Sequence, residues 1–213
     1  MLTLPEELLL LSLDDHGHSH DVALANLDTG LLAAAIYELE LRGRLEIEAE
    51  GITVKDASPT GDPELDEALK LIDKHAGKSL EDLLTAVHGH LGQIRTQVKE
   101  GLVQRGELRE EGSKLFWLLP QKRYSVEHGV EEMSLLERLT RTLLLHEPPD
   151  RRTSALLTLA ASCYASDNYL KERLFGDLRD RMYEVVNSGG EVQAVMRDSV
   201  CAALANTLTP FVP

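Results

Sequence analysis

The feature that most constrains the fold is an apolar segment near the N-terminus, with five leucines within residues 8–13. The preceding residues, Thr3 to Glu7, have the pattern of a helix start: a hydroxyl that can cap the helix, a proline in the first turn and two carboxylates near the positive end of the helix dipole. The resulting helix is apolar nearly all round. Because such a helix is stable in water only when other elements cover it, we predict that it lies at the centre of the protein.

A second pattern is a helix that ends at a glycine and is followed by a short β-hairpin. In its first copy, Asp28 and Thr29 are placed to cap a helix over residues 30–42, and Gly43 stands where the helix should stop. Alternating apolar residues on either side of Glu50-Gly51 then predict the hairpin.

A looser copy of this pattern follows. Apolar residues recur at helical spacing over residues 94–103, and Gly106 marks the end of that helix. Residues 108–119 flank a predicted turn at Glu111-Gly112. Two further helix starts, at Asp62 and Ser79, lie between the two copies.

The C-terminal part, from about Glu131, is helical in pattern throughout, with breaks at Pro148-Pro149 and Gly189-Gly190. We therefore predict a mainly α protein, a compact helical bundle with surrounding amphipathic helices and two short β-hairpins. We expect residues 1–213 to form one domain, in which 1–125 are the mixed helix and hairpin part and 126–213 the helical part.

Charge and motifs exclude several classes of function. The chain has 22 Lys and Arg against 36 Asp and Glu, a formal net charge of −14, so binding to nucleic acid or an anionic membrane would need a local basic patch. No apolar run approaches the roughly 20 residues that span a bilayer, and the N-terminus lacks the basic start of a secretory signal. Cys163 and Cys201 lack metal-type spacing, and no nucleophile elbow, phosphate-binding glycine loop or H-E-x-x-H helix occurs. These features predict a cytoplasmic, non-enzymatic protein that needs no cofactor and touches membranes only peripherally.

Three segments, far apart and in order, resemble the Golgi phosphoprotein 3 family. Residues 38–45 are similar to its helix end E-L-x-L-R-G-R-L, and residues 150–160 to its helix start D-R-R-x-x-A-L-x-x-L-A. Residues 59–70 are similar to its segment P-T-G-D-x-x-L-D-E-A-L-K. The last is the most specific of the three, because ten identities fall in a fixed spacing and order.

The resemblance implies a compact, mostly α-helical protein that binds phosphatidylinositol 4-phosphate on a basic face. In eukaryotic members that face also receives Golgi glycosyltransferase tails and inserts an apolar hairpin into the bilayer. The implied partners are a phosphoinositide or other anionic membrane surface and cytoplasmic protein tails, with a homo-oligomer as a further option. Since the sequence starts almost at the family's first helix, we expect a minimal, bacterial-type member; for a eukaryote, we expect the cytosolic face of the Golgi.

The resemblance also identifies positions of the family's lipid pocket, which uses a tryptophan and an arginine around the second helix and two arginines three residues apart on a later helix. In ungapped register these positions are Ala23, Leu32, Gly92 and Arg95. Only Arg95 keeps the family's residue type. Because a phosphate monoester is held by several donors at once, the resemblance supports the fold more strongly than the lipid.

A local excess of basic residues surrounds Arg95. Residues 92–124 contain seven Lys and Arg against four Glu, a local charge of +3 in a chain of −14. Each basic group near an anionic surface can contribute about 1 kcal/mol. We therefore predict that Arg95, Lys99 and Arg105 contact the lipid head group; an ordinary mixed-charge surface is the alternative interpretation.

The second predicted hairpin carries an apolar segment that includes the chain's only tryptophan. In a strand, Leu115 and Trp117 point to one face while Phe116 and Leu118 point to the other. Both faces are then apolar, and a hairpin that covers a core needs only one. We predict membrane or oligomer contact for these four residues, with burial on both sides as the alternative.

Other functions remain open at this point. A helix followed by a hairpin is also typical of winged-helix DNA-binding regulators, although the helix over residues 30–42 has no basic residue before Arg42. A protein–protein scaffold that has lost the lipid pocket is a third interpretation. His16, His18 and His20 alternate as metal ligands can, but a polar loop of this kind is usually solvated, so we predict no metal site.

Overall fold

The structure is a computed structural model, and it describes residues 1–13, 24–87, 92–111, 123–127, 129–164 and 178–207. These residues form nine helices and two two-stranded sheets. In chain order they are α1 (Leu4–Leu11), α2 (Leu24–Leu41), β1 (Leu45–Glu48), β2 (Gly51–Val54), α3 (Pro63–Lys74), α4 (Leu80–Val87), α5 (Gly92–Gln104), β3 (Leu108–Glu111), β4 (Arg123–Val126), α6 (Val130–Leu143), α7 (Arg151–Tyr164), α8 (Arg179–Asn187) and α9 (Glu191–Thr207). The prediction of a mainly α fold with two short hairpins is confirmed. The histidine-rich loop and the apolar segment Leu115–Leu118 lie outside the described residues.

The first helix is central, as its leucines predict. Thr3 caps it: Thr3 Oγ1 accepts a hydrogen bond from the Glu6 backbone N–H at 3.4 Å, and the Glu6 carboxylate accepts one from the Thr3 N–H at 2.8 Å. Residues 4–10 are all buried, and the helix packs against α2, α5, α6 and α7. Other helices therefore cover the apolar surface of α1.

The second helix is the other centre of the core, and residues 29–39 are buried on every face. It begins at Leu24, so the prediction that Asp28 and Thr29 cap it is wrong. The reason is packing: Leu27 and Leu31, one turn apart, are both buried, and continuing the helix through the cap-like residues keeps both in the core. A DNA-recognition helix needs an exposed face, and the helix of the first helix-and-hairpin copy has none over these residues. The winged-helix alternative is thereby left with the helix of the second copy.

The first hairpin follows the predicted pattern. Gly43 ends α2 in the left-handed conformation, with φ +69°, and the Arg44 N–H donates to the Leu39 carbonyl at 2.8 Å. In β1, Leu45 and Ile47 face the core while Glu46 and Glu48 face solvent. The two strands pair antiparallel around a two-residue turn.

The second hairpin differs from the prediction. β3 pairs with β4, with Leu108 opposite Val126 and Glu110 opposite Tyr124, so a tight turn at Glu111-Gly112 with a return strand before residue 119 is wrong. Leu108 is buried, and Tyr124 and Val126 pack against the same core. Alternating apolar and polar residues in one strand are compatible with several pairing partners. The register is fixed by which side chains of the two strands reach the core.

A long-range contact caps α6. The two carboxylate oxygens of Glu107, a residue only 3% exposed, each accept a hydrogen bond of 3.2 Å, from the Glu131 and Glu132 N–H groups respectively. A Cβ at Gly129 would overlap this carboxylate. The start of α6 is therefore capped by a side chain more than 20 residues away in the chain, with glycine leaving the room for it.

Candidate functional site

The three family-like segments meet in a buried network of ion pairs. Arg152, at the start of α7, has three hydrogen-bonding partners: Glu7 Oε1 lies 3.1 Å from its Nε, Glu38 Oε2 lies 2.7 Å from its Nη1, and the Leu2 carbonyl accepts from its Nη2 at 2.6 Å. Its side chain is 14% exposed and the two carboxylates 4% and 5%. This arginine joins the N-terminus, α1 and α2 to α7.

The same network extends through Asp62, which precedes α3. Arg42 Nη1 lies 2.8 Å from Asp62 Oδ2, and Arg105 Nη2 lies 3.3 Å from Asp62 Oδ1. Arg105 Nε also donates to Glu6 Oε1 at 2.9 Å, and Arg42 Nε to Glu38 Oε1 at the same distance. The sequence prediction placed Arg105 at the lipid head group; in the structure its guanidinium faces two carboxylates of the network.

Burial raises the pKa of two carboxyl groups in and beside this network, Glu7 and Glu64. Loss of solvation raises the pKa of Glu7, although Arg152 and Arg138 favour its ionised form. Burial likewise raises the pKa of Glu64, and the nearby charges of Glu6 and Asp62 raise it further, while hydrogen bonds from its own N–H and from the Thr3 hydroxyl oppose the shift. For these two carboxylates, the nearby positive charges and hydrogen bonds do not fully offset the solvation that the ionised form loses on burial.

We predict that Glu64→Gln stabilises the protein at neutral pH. Because the folded-state pKa of Glu64 is raised, the folded protein binds this proton more tightly than the unfolded chain. Protonated Glu64 therefore contributes to stability below its unfolded-state pKa, and this contribution is lost as pH rises through its folded-state pKa. Gln keeps an oxygen for the Thr3 hydroxyl, which donates at 2.9 Å, and removes the charge. Urea unfolding should show a gain for Glu64→Gln at pH 7 that disappears near pH 4.

The matched control for this prediction is Glu67→Gln on the same helix. Glu67 pairs with Lys70 at 3.2 Å on the surface, so its substitution should change stability little at either pH. A loss of stability in Glu64→Gln at pH 7 would contradict the prediction.

A different arrangement occurs on α5, where Arg95 and Lys99 lie one turn apart on the same face. Arg95 Nη1 lies 3.2 Å from Asp28 Oδ1 of α2, and the two side chains are 23% and 15% exposed. This Nη1 is buried and donates no hydrogen bond within the part of the chain that the structure describes. Arg95 thus keeps a donor that an acceptor from outside can satisfy.

Lys99 is held beside Arg95 by an aromatic ring of the second hairpin. Its Nζ lies 4.9 Å from the centre of the Tyr124 ring, a distance typical of a cation–π contact. Burial lowers the pKa of Lys99, and the positive charge of Arg95 lowers it further, while Asp28 opposes the shift. Two half-buried cations are therefore kept side by side at a free-energy cost that a bound anion would reduce.

The structure brings Arg95 and Lys99 together but leaves Arg105 apart from them. Arg105 is ten residues beyond Arg95, which corresponds to roughly 15 Å along a helix axis. We therefore base the candidate head-group site on the α5 pair, Arg95 and Lys99, with Asp28 and Tyr124 beside it.

Two other positions of the family pocket are also visible. Leu32 is fully buried in α2, so this position contributes core packing. Gly92 begins α5, and a Cβ placed there would lie 4.0 Å from Arg95 Nη2, with no closer neighbour among the described residues. A longer side chain at residue 92 would therefore start beside the Arg95 guanidinium. Ala23 lies outside the described residues.

A cavity of about 390 Å³ is a second candidate, lined by α6, the connection that follows it and the start of α7. It contains Arg138 and Arg141 together with three carboxylates, Glu137, Glu147 and Asp150. Arg141 Nε already donates to Glu147 at 2.8 Å. Because carboxylates outnumber the cations here, the cavity fits an anionic head group less well than the α5 pair does.

Exposed apolar side chains concentrate on α6, which sequence reasoning did not single out. Of the eight large apolar side chains that are exposed in the described part of the chain, five lie on α6 or directly after it. They are Val130, Met133, Leu136, Leu144 and Leu145. The three-residue spacing of the first three is a helical signal that could have identified this face from the sequence.

Two classes of site do not occur in the described residues. No helix in these ranges is both long enough and apolar enough to cross a membrane. No cluster of three or more His, Cys, Asp or Glu side chains able to hold a metal ion is found in the same ranges.

Comparison with known proteins agrees with the three sequence segments and with the fold. The family model described as Golgi phosphoprotein 3 (GPP34) matches residues 4–203. A similar protein is vacuolar protein sorting-associated protein 74 of Eremothecium gossypii, which is 30% identical over 164 residues. That alignment covers 67% of this chain and 48% of the relative, so the chain spans about half the length of that protein. The chain belongs to the Golgi phosphoprotein 3 family.

Proposed function

We propose that this protein is a non-catalytic peripheral-membrane adaptor that binds the phosphorylated head group of an anionic lipid, phosphatidylinositol 4-phosphate, through Arg95 and Lys99. One observation carries the proposal: two half-buried cations lie side by side on α5, and Arg95 has a buried N–H that no acceptor in the described residues satisfies. Family membership supports the lipid class and the cytoplasmic, membrane-associated location.

The chemistry of the pair fits a phosphate. A phosphate oxygen between the two side chains would accept from Arg95 Nη1 and reduce the repulsion that lowers the pKa of Lys99. The overall charge of −14 repels an anionic surface, so binding must depend on this local contact rather than on a general field. The site offers hydrogen-bond donors and positive charge, which suit recognition of an anion.

Two further predictions from the sequence concern residues outside the α5 pair. The apolar residues Leu115 to Leu118 remain the proposed membrane or oligomer contact. Arg105 is left out of the head-group site, because Glu6 and Asp62 already occupy its guanidinium.

Flotation with lipid vesicles tests the proposal. The three vesicle types are neutral phosphatidylcholine, the same lipid with phosphatidylinositol 4-phosphate, and a phosphatidylserine mixture of equal charge. We expect Arg95→Met to weaken binding to the phosphoinositide vesicles by about tenfold or more, the effect of losing one charge-assisted hydrogen bond. Gly92→Arg, which adds a second guanidinium beside Arg95, should strengthen it.

Arg197→Met is the control, since it removes an arginine from α9 that pairs with Asp198 at 2.8 Å on the surface. It should bind as the parent does. Equal flotation of the parent and Arg95→Met on phosphoinositide vesicles, or absence of flotation in every variant, would reject the proposed function.

A further inference from the structure

Asp28 stands against both cations of the proposed lipid site. Its carboxylate lies 3.2 Å from Arg95 Nη1, and its negative charge also acts on Lys99, whose ammonium form it favours. It comes from α2, so the contact joins the central helix to the cationic face of α5. The described site thus contains an anion supplied by the protein itself.

We propose that Asp28 is an internal competitor of the lipid phosphate: it holds Arg95 when no lipid is bound, and a head group must displace it to bind. The inference rests on the proposed function and deepens it by naming the residue that sets the affinity of the site. With Asp28 ionised, the three side chains carry a net charge of +1; without it, the charge is +2. A phosphate monoester, which brings about −1.5 to −2 charges, enters a site where one cation is already compensated.

The geometry of the contact suits an exchangeable partner. Arg95 Nη1 lies 3.2 Å from Asp28 Oδ1 but donates no hydrogen bond to any acceptor in the described residues. Arg152 contrasts with it, since its three nitrogens donate to Glu7, Glu38 and the Leu2 carbonyl. Among the described residues, charge rather than a directed bond holds Arg95 Nη1, so this nitrogen can turn to a phosphate without breaking such a bond.

A purely structural role for Asp28 predicts different behaviour. If the pair served only to attach α5 to α2, Asp28→Asn would lower the melting temperature and weaken lipid binding together. A competitor role predicts tighter lipid binding whatever the small change in stability. The two roles therefore give opposite signs in a binding measurement.

The experiment compares the parent, Asp28→Asn, Asp28→Asn/Arg95→Met and Asp198→Asn on the three vesicle types of the flotation assay. We expect Asp28→Asn to bind phosphoinositide vesicles about threefold to tenfold more tightly than the parent, and the double variant to lose this gain. Asp198→Asn removes the same charge and releases Arg197 on α9, so it controls for net charge and should match the parent. Inorganic phosphate, titrated into Asp28→Asn in solution, serves as the probe for a free ligand and should bind far more weakly than the vesicles.

Each other result overturns the inference. Binding by Asp28→Asn that equals or falls below that of the parent rejects the competitor role while leaving the proposed function in place, provided that Arg95→Met still weakens binding. An equal gain in Asp198→Asn shows a general charge effect, and equal affinity for inorganic phosphate rejects the lipid as ligand. Lipid binding that is absent in all variants, or unaffected by Arg95→Met, rejects the proposed function and the inference with it.

Discussion

Replacing Arg152 by methionine is expected to lower the free energy of unfolding by about 3–5 kcal/mol, the cost of breaking a buried ion pair on one side only. Methionine keeps much of the apolar stem of the side chain but leaves the carboxylates of Glu7 and Glu38, which are 4% and 5% exposed, without this guanidinium. The Leu2 carbonyl loses its donor as well. For a chain of this length the melting temperature should fall by roughly 6–20 °C.

The neighbouring residue provides the control for this prediction. Arg151 pairs with Glu40 at 2.8 Å, but its side chain is 67% exposed, so Arg151→Met should cost no more than about 1 kcal/mol. Calorimetry and urea unfolding of both variants measure the difference. A loss in Arg152→Met as small as that in Arg151→Met would show that the network does not stabilise the fold.

The second large effect is expected from Gly30→Ala, because Cys163 of α7 packs directly against this glycine of α2. A Cβ at residue 30 would overlap Cys163 Sγ and come within 3.4 Å of a Leu8 methyl group. Cys163 is 1% exposed, and burial raises the pKa of its thiol to about 12, so the group is neutral and fully enclosed. Although alanine is the better helix former, overpacking should lower stability by about 1–3 kcal/mol.

A double-mutant cycle isolates this contact. Cys163→Ala removes Sγ, and the remaining Cβ would lie 3.6 Å from the new methyl group, an ordinary contact distance. The double variant Gly30→Ala/Cys163→Ala should therefore be more stable than the sum of the single effects by about 1–3 kcal/mol. Gly92→Ala, where the new Cβ meets nothing closer than 4.0 Å, should not be destabilising. Additive effects in the cycle would contradict the close approach of the helices.

The ion-pair network explains why the three family-like segments are informative about the fold. Glu38 and Arg42 come from the first family-like segment, Asp62 from the second and Arg152 from the third, and these side chains form ion pairs that join the segments. Residues that recur at fixed spacing in this family thus build the scaffold. The α5 site is made of other residues, so lipid binding has to be measured separately.

Local patterns in the sequence were sufficient for the start of α1, the ends of α2 and α5 and the fold class. Thr3 and Pro5 begin α1, and Gly43 and Gly106 end α2 and α5 with φ values of +69° and +76°. Each of these depends on a few neighbouring residues, since caps satisfy N–H groups within one turn and only glycine enters the left-handed region without strain. The apolar circumference of α1 likewise required a central position, because any exposed face would place leucines in water.

Tertiary structure alone decided which residues face each other. It set the start of α2 at Leu24, before Asp28, the pairing of β3 with residues 123–126, and the capping of α6 by Glu107. Arg152 and Glu7 are separated by 145 residues, and the partners of a charge across such a distance follow from how the helices pack, not from local preference. The candidate site shows the same limit: the sequence identified Arg95 and Lys99, together with Arg105, as head-group residues, and only the packing of α2 against α5 placed Asp28 beside Arg95.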